Sequence, residues 1–101
     1  MANAQTDNST STLNSVEIMN SIGNNLDRLK RYSEAIPYYQ KSLAINSSNV
    51  NTLNDIADDL RNLKRYNEAI SYYNKVLALD PNNTTALRGK ANNLDLLKNN
   101  R

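Results

Sequence analysis

Three carboxylates stand close together at Asp55, Asp58 and Asp59, and paired acids are the simplest apparatus for general acid–base work. On a helix, steps of three and four residues would set Asp55 beside the other two. A reaction needs more than that, and nothing nearby supplies a nucleophile, an oxyanion donor motif or metal ligands. The chain has no His and no Cys, which removes the usual ligands of zinc and iron and leaves no disulfide framework or thiolate. Gly23 and Gly89 are isolated, so no Gly-rich loop is present to cradle a phosphate. The acids therefore read as a solvated helix face. No enzyme activity, cofactor or metal is expected.

Two other sets of residues could meet a polyanion. Lys30-Arg31 and Lys64-Arg65 form a short basic edge, and Tyr38-Tyr39 and Tyr72-Tyr73 could stack on bases. Helical repeats can read RNA one base at a time, but these pairs are few and fall on turns. Asp58, Asp59 and Asp95 lie on the same helices, and the net charge is only +2, too little for an attractive field. The basic pairs suit helix ends, where cations meet the negative pole of the macrodipole. The tyrosines suit packing. Nucleic acid is not an expected partner.

The elements that carry these residues follow from a repeat. Laying Val16–Asn49 over Val50–Asn83 without gaps gives identity at seventeen of thirty-four positions, including LKRY, EAI, YY, K and LA. Self-similarity at one fixed period has to be read first, because each unit cannot bury its apolar face alone. In repeat one, the large apolar residue, the following small-residue step, the aromatic slots and the closing turn fall at Met19, Ile22-Gly23, Leu26, Ala35, Tyr39 and Ser47. In repeat two they fall at Leu53, Ile56-Ala57, Leu60, Ala69, Tyr73 and Pro81, and Leu87, Lys90-Ala91 and Leu94 begin a third copy. This period and pattern resemble the tetratricopeptide repeat, a helix–turn–helix unit of 34 residues. The fold implied is all-α, with antiparallel helix–turn–helix repeats stacked as a short right-handed α-solenoid.

The expected organisation is a flexible N-terminal tail at 1–12 and a repeat domain at 13–101. The domain divides into repeat one at 16–49, repeat two at 50–83 and a C-terminal capping helix at 84–101. The tail is small, polar and without apolar residues to bury. It has neither the basic region nor the apolar core of a secretory signal, and no run in the chain suits a membrane span, so a cytoplasmic location is expected. Leu13, Val16, Met19, Ile22, Leu26 and Leu29 recur at the spacing that lines one helix face. The second helix is expected to start at a Ser33 cap, with Pro37 tolerated in its first turn and Ala35, Ile36, Tyr39, Ser42 and Leu43 inward. Gly23, Ala57 and Ala91 keep the helix crossings close. Lys90 stands where Ile22 and Ile56 point inward, which favours a solvating terminal cap over a missing remainder.

The resemblance also implies a use: in such arrays the first helices of successive repeats line a concave groove that holds an extended peptide or a partner helix. Carried onto this register, the groove slots are Asn20, Asn54 and Arg88 in one row and Asn24, Asp58 and Asn92 in a second. Asp55 lies with Ser21 beside them. An Asn amide both donates and accepts, so it can grip a peptide backbone whatever its side chains. Family members that clamp the carboxylate of a chaperone tail use Lys and Arg at slots that here hold Asn20, Thr85 and Gly89, and Asp55 would repel that carboxylate. The expected function is a non-catalytic protein–protein interaction module with a peptide or protein ligand, leaning toward one with a Lys or Arg at mid-groove. The alternative is a self-associating structural unit, a homo-oligomer formed through exposed repeat ends, with Leu96 among the residues involved.

Overall fold

In a computed structural model, secondary structure is described for residues 4–99 and side chains for residues 15–99. Five helices follow in order: α1 Ala4–Arg28, α2 Tyr32–Ile45, α3 Val50–Asn62, α4 Tyr66–Leu79 and α5 Thr84–Asn99. Every regular element among the described residues is an α-helix. α1 packs on α2, α3 on α4, and α2 and α4 each pack on the helix that follows. The result is an all-α helical solenoid.

The core repeats with the sequence. Ala35, Ile36 and Tyr39 of α2 and Ala69, Tyr73 and Val76 of α4 are buried against Leu53, Ile56, Ala57 and Leu60 of α3. Ser42 is buried beside them and Leu43 is half-buried, as the spacing predicts. α1 fits its stripe less well. Leu29 lies in the turn and is 65% exposed, and Ile22 is also exposed, because α1 has a neighbouring repeat on one side only. The backbone of α1 is helical from Ala4, inside the stretch read as a tail. Once a helix is nucleated, adding a residue costs far less than starting a new one. The side chains of 1–14, and with them the expected flexibility of 1–12, lie outside the described residues.

The turns differ from expectation in one instructive way. α2 is capped by Arg31, without a side-chain hydrogen bond, and not by Ser33. The reason lies one residue earlier: Lys30 takes the left-handed conformation at φ 61°, as Lys64 does at φ 64°. Lys30 N–H then donates to Asp27 O and Arg31 N–H to Leu26 O, with the same pair of bonds at Lys64 and Arg65. These are the two bonds of a Schellman closure, and they turn the chain so quickly that the next helix starts at Tyr32 or Tyr66. With that earlier start, Pro37 falls beyond the first turn and sits inside α2. Arg31 and Arg65 in turn bind Glu34 and Glu68 through paired N–H···O contacts of 2.6–2.7 Å. Asn49 and Asn83 cap α3 and α5 by accepting from Thr52 N–H and Ala86 N–H.

Candidate partner-binding groove

The candidate residues on α1, α3 and α5 divide into four kinds. Asn20 is half-buried, and its Oδ1 accepts from Thr52 Oγ1 at 3.2 Å, tying α1 to α3. Asn24 and Asp58 meet the core tyrosines. Tyr39 Oη lies 2.7 Å from both Asn24 Oδ1 and Asp27 Oδ2, and with one proton to give it donates to one of them at a time. Tyr73 Oη donates to Asp58 Oδ1. Arg88 and Asn92 are exposed on α5. Asn54 is 7% exposed, and its buried Oδ1 has no partner.

The acids do not form a solvated face. Asp59 is 2% exposed, and Asp55 and Asp58 are half-buried, because α3 is the middle helix and has neighbours on both sides. Burial first, then the charges of Asp27 and Asp58, push Asp55 up to about 6. Asp59 is driven well above the usual carboxylate range by burial, then by its hydrogen bond with Asp27 and the surrounding carboxylates. Asp27 Oδ1 and Asp59 Oδ2 are both buried without another partner. A protonated Asp59 sharing its proton with Asp27 accounts for the upward shift, since two carboxylates in one site cannot both ionise cheaply. Burial raises Tyr39 and Tyr73 as well, helped by the carboxylates they meet. The charge this face presents is thus negative at its centre. The ion pairs among the described residues are Arg31–Glu34 and Arg65–Glu68, so among those residues none of Asp27, Asp55 and Asp58 is held in an ion pair, though the charge of half-buried Arg61 is felt at Tyr73.

Among the described residues no group of three or more His, Cys, Asp or Glu is placed to hold a metal ion. No described helix is long and apolar enough to cross a membrane. A cleft of about 340 Å³ is lined by Lys64 to Glu68 and Leu97; it lies at the α3–α4 turn, away from the groove slots. The buried Asp59 was missed in the sequence. No signal in the sequence marked it: its repeat equivalents Asn25 and Asn93 are also polar, and of these Asn93 is buried and Asn25 exposed.

Successive helix pairs, closed by equivalent turns and packed through the equivalent tyrosines Tyr39 and Tyr73, define a helical-repeat protein. The tetratricopeptide repeat profile matches residues 16–49 and again 50–83, and the chain belongs to the tetratricopeptide repeat family. No curated protein sequence matches it. Among solved structures it is similar to MamA from Desulfovibrio magneticus RS-1, with TM-score 0.81 and 25% identity over 84% of this chain, and to the MamA D159K mutant, with TM-score 0.75 and 26% identity over 82%. It spans 48% of the Desulfovibrio MamA chain, about half its length. It is also similar in fold to the Arabidopsis OM64 repeat domain, with TM-score 0.81, 19% identity and coverage of 87% of this chain and 73% of that one. The second repeat domain of Spaghetti, bound to the HSP90 peptide SRMEEVD, gives TM-score 0.79 and 18% identity, covering 89% and 85%.

Proposed function

We propose that this chain is a non-catalytic protein-interaction module of the cytoplasm that holds a peptide or partner helix along the face built by α1, α3 and α5. The observation that carries the reading is the group of carboxylates at mid-face, Asp55 and Asp58 with Asp27 behind them, none of them in an ion pair among the described residues. A ligand Lys or Arg supplies the missing charge, and Arg88 and Asn92 at the α5 end add donors for backbone carbonyls. The Spaghetti domain binds a peptide that ends in acidic residues. Here Asp55 opposes such an end, so a basic ligand is the better fit.

A phage-displayed peptide library tests this. Enrichment of peptides with a central Lys or Arg, lost with Asp55→Lys/Asn92→Ala at unchanged helicity, is the expected result. Enrichment of acidic C-termini, or binding indifferent to that variant, overturns the reading. A second reading, self-association through an end of the array, is favoured by one observation: Leu87 and Leu94 of α5 are both 48% exposed. Leu96, the residue suggested by the sequence, is instead half-buried.

A further inference from the structure

α5 carries two stripes, and the described helices cover only one of them. Ala86 and Asn93 are buried on the inward side. Leu87, Ala91 and Leu94 recur at steps of four and three, which places them on one face, about a quarter-turn or more from the buried one. Their equivalents on α3 are Leu53, Ala57 and Leu60, and these are 3%, 0% and 2% exposed because α4 lies over them. The α5 stripe is therefore built like a helix-docking surface, and no described helix sits on it.

The charges beside the stripe say what fits. Arg88 and Asp95 are two turns apart on the same flank, both exposed and outside the ion pairs of the described residues. When a helix packs antiparallel against its own copy, each flank meets the same flank of the copy with the order reversed. Arg88 then faces Asp95 twice over. The same register lays Leu87 on Leu94 and puts Ala91 near the two-fold axis, where a small side chain lets the helices approach. Parallel pairing would turn Arg88 toward the opposite flank and Lys90, a like charge. In the antiparallel pair the two Lys90 residues lie near each other, and their long stems let the ammonium groups reach water.

We propose that α5 pairs antiparallel with α5 of a second copy, making a two-fold dimer with Leu87, Ala91 and Leu94 as its seam and two Arg88–Asp95 pairs as its register. The proposal rests on the self-association reading and shares only Arg88 with the proposed peptide groove. One helix pair buries little surface, at the weak end of specific interfaces, so the dimer forms at roughly micromolar to millimolar protein.

Sedimentation of the full chain across that range tests it. The expected mass rises from one chain to two. Leu94→Lys, an exposed site whose helicity is checked by circular dichroism, abolishes the rise. Asp95→Arg sets Arg against Arg twice and weakens the dimer about tenfold or more, while Arg88→Asp with Asp95→Arg restores it. A single chain at every concentration overturns self-association and the seam together. Association that survives Leu94→Lys overturns the seam alone. Loss with Leu94→Lys but no rescue by the double charge swap overturns the antiparallel register.

Discussion

The chain has two glycines, and each lies under one of the two buried tyrosines. That leads to a prediction against helix propensity. Gly89 sits inside α5, where replacement by Ala ordinarily gains about 1 kcal/mol. Here an added Cβ would stand 2.5 Å from Tyr73 Cε1 and 2.7 Å from Tyr73 Oη, and nearer still to Cζ. Carbon contacts settle at about 3.5–4.0 Å, so ring or helix must retreat by about 1 Å. Tyr73 is fully buried and its hydroxyl is tied to Asp58, so it has nowhere convenient to go. Overpacking of this kind costs about 1–3 kcal/mol, and losing a hydrogen bond to a carboxylate costs about 1.5–3 kcal/mol. With the propensity gain subtracted, Gly89→Ala should destabilise by about 1.5–5 kcal/mol. For a chain of this size that lowers Tm by about 4–8 °C per kcal/mol. Urea unfolding followed by circular dichroism reads it directly. The cause is isolated in a Tyr73→Leu background, where the ring is gone and Gly89→Ala should become neutral or stabilising. A Gly89→Ala protein as stable as wild type, or the same loss in both backgrounds, refutes the reasoning.

Lys64→Gly should stabilise by about 1 kcal/mol, since a left-handed residue with a Cβ costs about that much and Gly is the usual occupant of this closing position; an unmoved urea midpoint would count against the strained turn. Asp55 and Asp59 titrate higher in the folded chain than in the unfolded one, so the folded state holds extra protons and their contribution is complete below about pH 4. It is lost as pH rises, for Asp55 through about 6 and for Asp59 further up. The urea midpoint should fall from about pH 5 to about pH 8, and Asp59→Asn should flatten that fall; an unchanged slope would sink the shared-proton account.

Half identity over an ungapped period made the helices and their buried stripes legible in the sequence, because packing in a repeat array reuses the same slots. What escaped the sequence depends on neighbours. Ile22 and Ile56 look alike in the pattern, yet Ile56 is fully buried and Ile22 is exposed, since only α3 has a repeat on each side. Asp59 reads as a surface acid until α1 and Asp27 are placed against it. Ser33 has the right chemistry for a cap, but a left-handed Lys30 closes the turn before Ser33 can serve. Gly89 reads as an isolated glycine, and its reason is a tyrosine on the preceding helix. Each miss concerns what lies across a helix boundary, about which periodicity along one helix is silent.

The groove rows deserve a different weight from the one their composition suggests. Tyr39 and Tyr73 each reach back fifteen residues, to Asn24 and to Asp58. An acceptor is therefore required at both positions by the fold, because a phenol hydroxyl buried without a partner is costly. A polar residue at 24 or 58 is thus no evidence of a ligand by itself. Yet the same bond fixes the side chain. Asp58 is held by one oxygen, Oδ1, in an orientation set by the core, and a carboxylate has a second oxygen with further acceptor capacity. A ligand cation meeting it would pay less ordering entropy than one that meets a free side chain. Asn92 has no such tyrosine among the described residues and remains exposed and unfixed. The face is therefore rigid at α1 and α3 and adaptable at α5. Tyr73→Phe separates the two duties, since it keeps the ring in the core and frees Asp58. If core bracing prepares the groove, that variant should weaken binding of a basic peptide while Asn92→Ala changes it little. Equal effects from the two would mean that the tyrosine serves the fold alone.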